Sequence, residues 1–333
     1  MKQVDTAGFA MFQNSNTVGP FLSAWMLCLT VTLASPLRAQ TVGVVPVNIF
    51  GDGNPLNGVE DSREQVMAGP GGGGNPEDRQ LNSGTITCDG SFRGTAMVVD
   101  TREFAPDLEG VVLVSAAHVL YNLKKKRLFR RCQFHFMGWE RDPGYGSKID
   151  FKLMRMGNFN PGQATGVFEF GEGDWVFLYL RKPWKYFSPD QSLRLRDFSF
   201  AQTESYRQSG GEFRLVAFDS SAGNISQSRD CVVVQSKGGD LGGGTWKGQL
   251  LDDCDSADGA SGGGIIAVLN QEYYLIGIRN GSHWSELLYP ADGYPAGPPD
   301  GSVWNRLSNT NFGRAIDTKL LFEINQFIQS HRP

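Results

Sequence analysis

The sequence predicts an antiparallel β protein that ends in one α-helix, and three observations lead to this fold class. Glycine makes up 42 of the 333 residues, 40% of the residues are apolar and 11% are aromatic, which favours short strands joined by tight turns. Runs rich in Val, Ile, Phe and Tyr are bounded by Gly, Asp or Ser, with no helical pattern between them. Only the segment from Ile316 to Ile328 repeats apolar residues at helical spacing, so it is the predicted helix.

The predicted strands are short and follow one another along most of the chain. In order they are Thr95–Val99, Val111–Ser115, Asp174–Leu180, Phe213–Phe218, Cys231–Gln235, Gly264–Leu269 and Tyr273–Ile278. A polar stretch at Ser188–Gly211 divides them into two halves. The 31 basic and 35 acidic residues give a net charge of −4, so we expect no nucleic-acid partner. The basic run Lys124–Arg127 is expected to be a solvated loop.

The N-terminus predicts export from the cell. Phe21–Ala34 is an uncharged apolar run with a lysine upstream and the small-residue pattern that ends at Ala39 downstream, which is typical of a signal peptide over residues 1–39. A membrane anchor, or a start site placed too far upstream, is the alternative. Residues 40–84 form a predicted glycine-rich extension that includes Gly71–Gly74. We therefore expect a periplasmic or extracellular protein.

Export changes the meaning of the 5 cysteines. Cys28 leaves with the signal peptide, and Cys88, Cys132, Cys231 and Cys254 remain in an oxidising compartment. Four cysteines allow three pairings, of which the one between sequence neighbours is the most local. No CxxC spacing occurs, so a thiolate metal site is not predicted.

Three segments carry residues with the chemistry of nucleophilic catalysis. His118 follows a strand and two alanines, and its imidazole suits a general base near neutral pH. Asp174 opens a hydrophobic strand, where a buried carboxylate would orient a histidine ring. Ser261 lies between glycines, which let the backbone approach a substrate and aim successive N–H groups at one point.

The order of these residues distinguishes two types of hydrolase. Gly259–Gly263 also satisfies G-x-S-x-G, but an α/β-hydrolase places the serine before the acid and the histidine, and a helix after the serine. Here the order is His118, Asp174 and Ser261, and a β-run follows the serine. Asp150 is the alternative acid. The other histidines stand in weaker contexts and are His135, His283 and His331.

These motifs resemble those of trypsin-like (chymotrypsin-fold) serine peptidases, in particular the bacterial secreted branch near the glutamyl-endopeptidase-like enzymes. Ser115-Ala116-Ala117-His118 matches T-A-A-H with Ser for Thr, Asp174 opens a looser form of the aspartate strand, and Gly259–Gly263 matches G-x-S-G-G. The resemblance implies two packed antiparallel six-stranded β-barrels with a C-terminal α-helix. Residues 85–200 would form the barrel with His and Asp, and residues 201–333 the barrel with Ser and the helix.

The resemblance also implies the reaction and its requirements. The expected activity is that of a serine endopeptidase on protein or peptide substrates, with the N–H groups of Gly259 and Ser261 as the oxyanion hole and no metal or organic cofactor. Expected disulfides are Cys88–Cys132 and Cys231–Cys254. The protein is expected to be a monomer without membrane insertion after signal cleavage. The rival hypotheses are a catalytically silent binding protein of the same fold and an esterase that uses the same serine.

Substrate preference is less clear from the sequence. The resemblance places Asp255, Arg279, Asn280 and Gly281 in the substrate-binding region, but Arg279 favours an acidic substrate residue and Asp255 a basic one. Arg279 could equally be solvated or paired with Asp255. Ala260 stands where animal relatives carry an aspartate that pairs with a newly cut N-terminus, so we expect activity that needs no freed α-amino group.

Overall fold

The structure is a computed structural model, and it describes most of the chain from Phe50 onward. The described residues are 50–51, 63–66, 82–122, 124–136, 146–159, 172–183, 192–198, 200–209, 211–220, 222–229, 231–235, 248–284, 302–303 and 309–333. The predicted signal peptide and Gly71–Gly74 lie outside them. In the described part of the chain, no helix is both long enough and apolar enough to cross a membrane.

The secondary structure of this part is almost entirely β. The strands are β1 (Phe50–Gly51), β2 (Arg63–Gln65), β3 (Ser83–Cys88), β4 (Ser91–Val99), β5 (Val111–Ser115), β6 (Tyr121–Asn122), β7 (Arg127–Leu128), β8 (Cys132–Phe136), β9 (Gly146–Lys148), β10 (Met154–Met156), β11 (Val176–Leu180), β12 (Arg194–Leu195), β13 (Glu212–Asp219), β14 (Asn224–Ser228), β15 (Val233–Gln235), β16 (Gln249–Asp252), β17 (Gly264–Leu269), β18 (Glu272–Trp284), β19 (Ser302–Val303) and β20 (Asn309–Ala315). The helices are α1 (Phe200–Gln208) and α2 (Thr318–Gln329), and short 3-10 helices lie at Ala117–Leu120 and Phe151–Leu153.

Two antiparallel sheets contain most of these strands. The first has the order β10-β11-β5-β4-β3-β8-β9. The second has the order β15-β16-β20-β18-β17-β13-β14-β2, with β12 added in parallel beside β18. Every residue of β5 is buried, as expected of a central apolar strand with packed layers on both faces.

One hydrophobic core cluster joins both sheets to the C-terminal helix. It includes Phe177 of the first sheet, Ile266 of the second and four side chains of α2 that bury at helical spacing: Leu320, Ile324, Phe327 and Ile328. Each such side chain contributes roughly 1.5–3 kcal/mol when fully buried. The helix begins where the Asp317 carboxylate accepts the Leu320 N–H at 2.8 Å, an N-cap bond that satisfies a free donor of the first turn.

The predicted fold class is confirmed, since two curled antiparallel sheets carry a C-terminal helix. The sheets hold seven and nine strands instead of six each, because short edge strands such as β2, β9 and β12 lengthen them. The predicted domain boundaries at residue 84, between the extension and the first barrel, and at residue 200, between the two barrels, stay predictions. Both predicted disulfides, Cys88–Cys132 and Cys231–Cys254, are present and close loops within one sheet each.

The helix α1 was not predicted from the polar stretch in which it lies. Its sequence is mostly polar. Among its described side chains, Tyr206 packs edge-on against Phe213 with ring centroids 5.1 Å apart, and Thr203 is fully buried. A mostly polar helix shows no apolar stripe in the sequence, so periodicity could not reveal it.

Candidate active site

The first sheet places His118 and Asp174 side by side. β11 runs antiparallel to β5 with Val176 opposite Ser115, so the residues just before β11 lie beside those just after β5. The buried Asp174 carboxylate accepts the backbone N–H of His118 at 3.0 Å and contacts His118 Nδ1 at 2.7 Å. These two contacts assign the ring proton to Nδ1, which leaves Nε2 as the nitrogen that can accept a proton.

Small residues are needed where the chain turns toward His118. Ala116, which follows β5, and Ala117, which opens the 3-10 helix that carries the histidine, are both fully buried. A larger side chain at either position would have to displace packed core atoms. The pair of alanines in the sequence motif therefore has a packing reason.

Asn280 holds the acid from the other sheet. Its amide donates to the Asp174 carbonyl oxygen at 2.9 Å, and its Oδ1 accepts the Arg314 N–H at 2.9 Å. The side chain is 1% exposed, so it spans from β18 to the segment before β11 in the interior. The side chain of Asn280 is thus bonded to the backbone of Asp174, and the expectation that Asn280 lies in the substrate-binding region stays a prediction.

The loop between β16 and β17 brings Ser261 to the end of β5. Thr95 N–H donates to the Ser261 carbonyl oxygen at 2.8 Å. Gly262 has φ +83°, and a Cβ there would lie 2.1 Å from the Thr95 carbonyl oxygen and 2.2 Å from Ser115 Oγ. Only glycine tolerates both the dihedral and the contact. Ser261 is thereby placed against β4 and against the strand end that leads into His118.

Two backbone N–H groups near Ser261 take no part in the hydrogen bonds of the loop. The carbonyl oxygens of Asp258 and Ala260 accept from Ser220 N–H at 3.2 Å and Gly263 N–H at 2.8 Å. The N–H groups of Gly259 and Ser261, on the same two peptides, make no hydrogen bond with any residue that the structure describes. Gly259 has φ +96° and lies against the rings of Phe92 and Phe218. Two backbone donors without a partner among the described residues are therefore available in the loop that carries Ser261.

Arg279 is not a free cation. Its guanidinium makes two bonds to the buried Asp252 carboxylate, at 2.9 and 3.2 Å, and it is 1% exposed. Burial raises the pKa of Asp252 and lowers the pKa of Arg279, and the ion pair opposes each shift. The partner is thus Asp252, and not Asp255 as the sequence suggested. Gly281 follows a bulge between β18 and β20 and pairs with Phe312.

Asp255 is also buried, at 4% exposure, and its N–H donates to Ser228 Oγ at 2.9 Å. Sequence reasoning missed Asp252, which lies in the apolar strand β16. A charged residue in a strand otherwise made of Gln and Leu was the one available signal.

The alternative residues have structural roles. The Asp150 carboxylate accepts Lys152 N–H at 3.0 Å and caps a 3-10 helix. His135 Nε2 lies 3.0 Å from Thr87 Oγ1 between two strands, and His331 packs against Phe327 at the C-terminus. The backbone of His283 lies on β18. The basic run is an exposed hairpin tip, as expected of a solvated loop.

Fold and site together restrict the architecture. Two curled antiparallel sheets, with His118 and Asp174 beside strand ends of the first and Ser261 in a loop of the second, fit a chymotrypsin-like two-barrel fold. Among solved structures the chain is similar to a Glu endopeptidase determined in complex with MPD, with 14% sequence identity, a TM-score of 0.49 and coverage of 84% of this chain and 99% of that chain. No family model and no curated protein matches the chain.

Asp253 predicts a pH dependence of stability. Burial raises its pKa to about 7, with Asp252 and Asp255 adding repulsion, while the Val232 N–H bond at 2.6 Å opposes the shift. Between about pH 4 and 7 the unfolded chain releases this proton and the folded chain keeps it, so stability falls as pH rises through that window. Asp253→Asn keeps a side-chain oxygen that accepts the Val232 N–H, and it removes the fall in stability because asparagine does not titrate.

We expect Asp253→Asn to gain stability over the wild type as pH rises, by on the order of 2 kcal/mol, with the gain complete above about pH 8. Urea unfolding across this range measures the difference. Parallel stability profiles for the two proteins would contradict the prediction.

Proposed function

We propose that the protein is an exported serine endopeptidase in which Ser261 is the nucleophile, His118 the general base and Asp174 the residue that orients His118. The observation that carries the proposal is the double contact of Asp174 with His118, at the strand end against which the Ser261 loop packs. The unbonded N–H groups of Gly259 and Ser261 support the same reaction. The apolar N-terminal run and the two disulfides support export.

The reaction follows from these roles. Ser261 Oγ attacks the peptide carbonyl carbon while His118 Nε2 takes the hydroxyl proton. The resulting oxyanion accepts hydrogen bonds from the N–H groups of Gly259 and Ser261. The C–N bond then breaks, and His118 gives its proton to the leaving amine. Water attacks the acyl-enzyme with His118 again as base, and the proton returns to Ser261 as the acid is released. Asp174 stabilises the charged imidazolium in both halves.

The buried pair of Arg279 with Asp252 bears on substrate preference. A carboxylate of a substrate needs a cation whose charge is not already balanced, and Asp252 balances that of Arg279 at 2.9 Å. We therefore propose that Arg279 does not give the enzyme a preference for acidic substrate residues. Its role is to link β18 to β16 across β20, beside the Ser261 loop.

Ser261→Ala is the decisive variant. We expect wild type to react with a fluorophosphonate probe and to cut a diverse peptide library, and we expect Ser261→Ala to lose labelling and to lower turnover by roughly 10⁴-fold or more. Ser209→Ala, which alters an exposed serine after α1, is the matched control and should behave as wild type.

The readouts also separate the rival functions. Wild type that is folded but neither labelled nor active would favour the binding protein. Labelling with turnover of simple esters and of no peptide would favour the esterase.

A further inference from the structure

Part of the N-terminal extension is built into the second sheet. β2 pairs with β14, with Arg63 opposite Ser228 and Gln65 opposite Ser226, and Val66 N–H donates to the Ile225 carbonyl oxygen at 3.0 Å. Val66 is 5% exposed and belongs to the main core cluster. Residues 63–66, which lie within the predicted glycine-rich extension, are thus held in place by edge pairing and by one buried valine.

Arg63 makes an inward ion pair from this strand. Its Nη1 lies 3.2 Å from Asp219 Oδ2, and the two side chains are only 12% and 6% exposed. The next residue, Glu64, behaves differently: it pairs with Arg229 and is 59% exposed. An ion pair shielded from water is coupled more strongly than an exposed one, and loss of one partner leaves the other charge uncompensated.

Asp219 stands between the two residues that support Gly259. Ser220 N–H donates to the Asp258 carbonyl oxygen at 3.2 Å, and Phe218 N–H donates to Thr95 Oγ1 at 2.9 Å. Thr95 Oγ1 in turn donates to the Gly259 carbonyl oxygen at 2.8 Å. The end of β13 thus holds the Asp258 carbonyl oxygen directly and the Gly259 carbonyl oxygen through Thr95. Because these oxygens belong to the two peptide groups that flank the Gly259 Cα, their positions set the direction of the Gly259 N–H.

We infer that Arg63 is a positioning residue for the oxyanion hole, acting through Asp219 and the end of β13 on the Gly259 N–H. The inference rests on the proposed peptidase function. It also accounts for Ala260, which offers no carboxylate to anchor the loop that carries Ser261. Arg63 supplies the anchoring charge from inside the N-terminal segment, so that no newly cut N-terminus is needed. Residues 63–66 are then a working part of the enzyme.

The test compares Arg63→Met and the milder Arg63→Lys with Glu64→Gln, a control in the same strand. For Arg63→Met we expect kcat per fluorophosphonate-titrated site to fall about 10- to 100-fold with KM changed by less than about threefold, because an oxyanion donor acts mainly in the transition state. Arg63→Lys should recover most of kcat, and Glu64→Gln should match wild type.

Hydrogen exchange at the amides of Phe218 and Ser220 provides a readout that does not need activity. Arg63→Met should accelerate exchange at both, and Glu64→Gln should not. Two results for Arg63→Met would overturn the inference. One is exchange at these amides that is unchanged from wild type. The other is a smaller fraction of sites that react with the probe, with kcat per reactive site unchanged. If the wild type proves inactive while exchange responds as expected, the proposed function fails and the coupling stands.

Discussion

Asp174→Asn should lower kcat about 10⁴-fold near neutral pH and leave the folded structure intact. The carboxylate accepts two hydrogen bonds from His118, one from the backbone N–H at 3.0 Å and one at Nδ1, 2.7 Å away. An asparagine can keep the first through its carbonyl oxygen, but its NH₂ group then faces Nδ1. The imidazole responds by carrying its proton on Nε2, where it can no longer take the proton of Ser261.

The control for this experiment is Asp150→Asn, which changes the exposed aspartate that caps a 3-10 helix. Its kcat should stay within about threefold of wild type. Steady-state kinetics and thermal unfolding of both variants provide the comparison. A folded Asp174→Asn enzyme that keeps more than about a tenth of wild-type kcat would show that Asp174 does not set the tautomer of the base.

Arg279→Met should destabilise the protein by about 3–5 kcal/mol, because it leaves the Asp252 carboxylate buried without its cation. The pair is closed off from water, with side-chain exposures of 2% and 0%. Asp252→Leu should cost a similar amount by stranding Arg279. The double variant removes both charges, and we expect it to recover most of the loss, since a packed apolar pair of similar volume is often as stable as a buried ion pair.

The exposed pair of Arg194 and Glu272, with side-chain exposures of 43% and 51%, is the matched control. Arg194→Met should change the free energy of unfolding by less than about 1 kcal/mol. Chemical denaturation of the four variants and the wild type completes the double-variant cycle. Additive losses in the double variant would contradict the prediction of a coupled pair.

Seven of the 20 strands in the described part of the chain, and the terminal helix, were predictable because their patterns are local. Val111–Ser115 and Gly264–Leu269 were predicted with the bounds that the structure has, since each is a continuous apolar run closed by turn residues. The helix predicted over Ile316–Ile328 is observed over Thr318–Gln329. Strands such as Gln249–Asp252 were missed, because Gln249 and Asp252 interrupt the apolar pattern and the burial of Asp252 depends on its pairing with Arg279 of β18.

The same distinction holds within the candidate site. The histidine, the acid and the serine were identified from short motifs and from their order along the chain, and the proposal that they act together remains to be tested. The partner of Arg279 and the attachment of Asn280 to Asp174 were not predictable, because each depends on the register between strands that are distant in sequence.

The sequence by itself determined an antiparallel β protein with a terminal helix, and it singled out His118, Asp174 and Ser261 as the residues with catalytic chemistry. Local composition and periodicity suffice for the fold class, and short motifs with their order along the chain suffice for the three residues, because backbone preferences and side-chain chemistry are properties of short segments. Only the tertiary structure decided that Asp252 neutralises Arg279, that Asn280 braces the acid and that Arg63 reaches Asp219 beside the Ser261 loop. Those pairings arise when sheets from distant parts of the chain exclude water, which forces each buried charge and amide to find a partner.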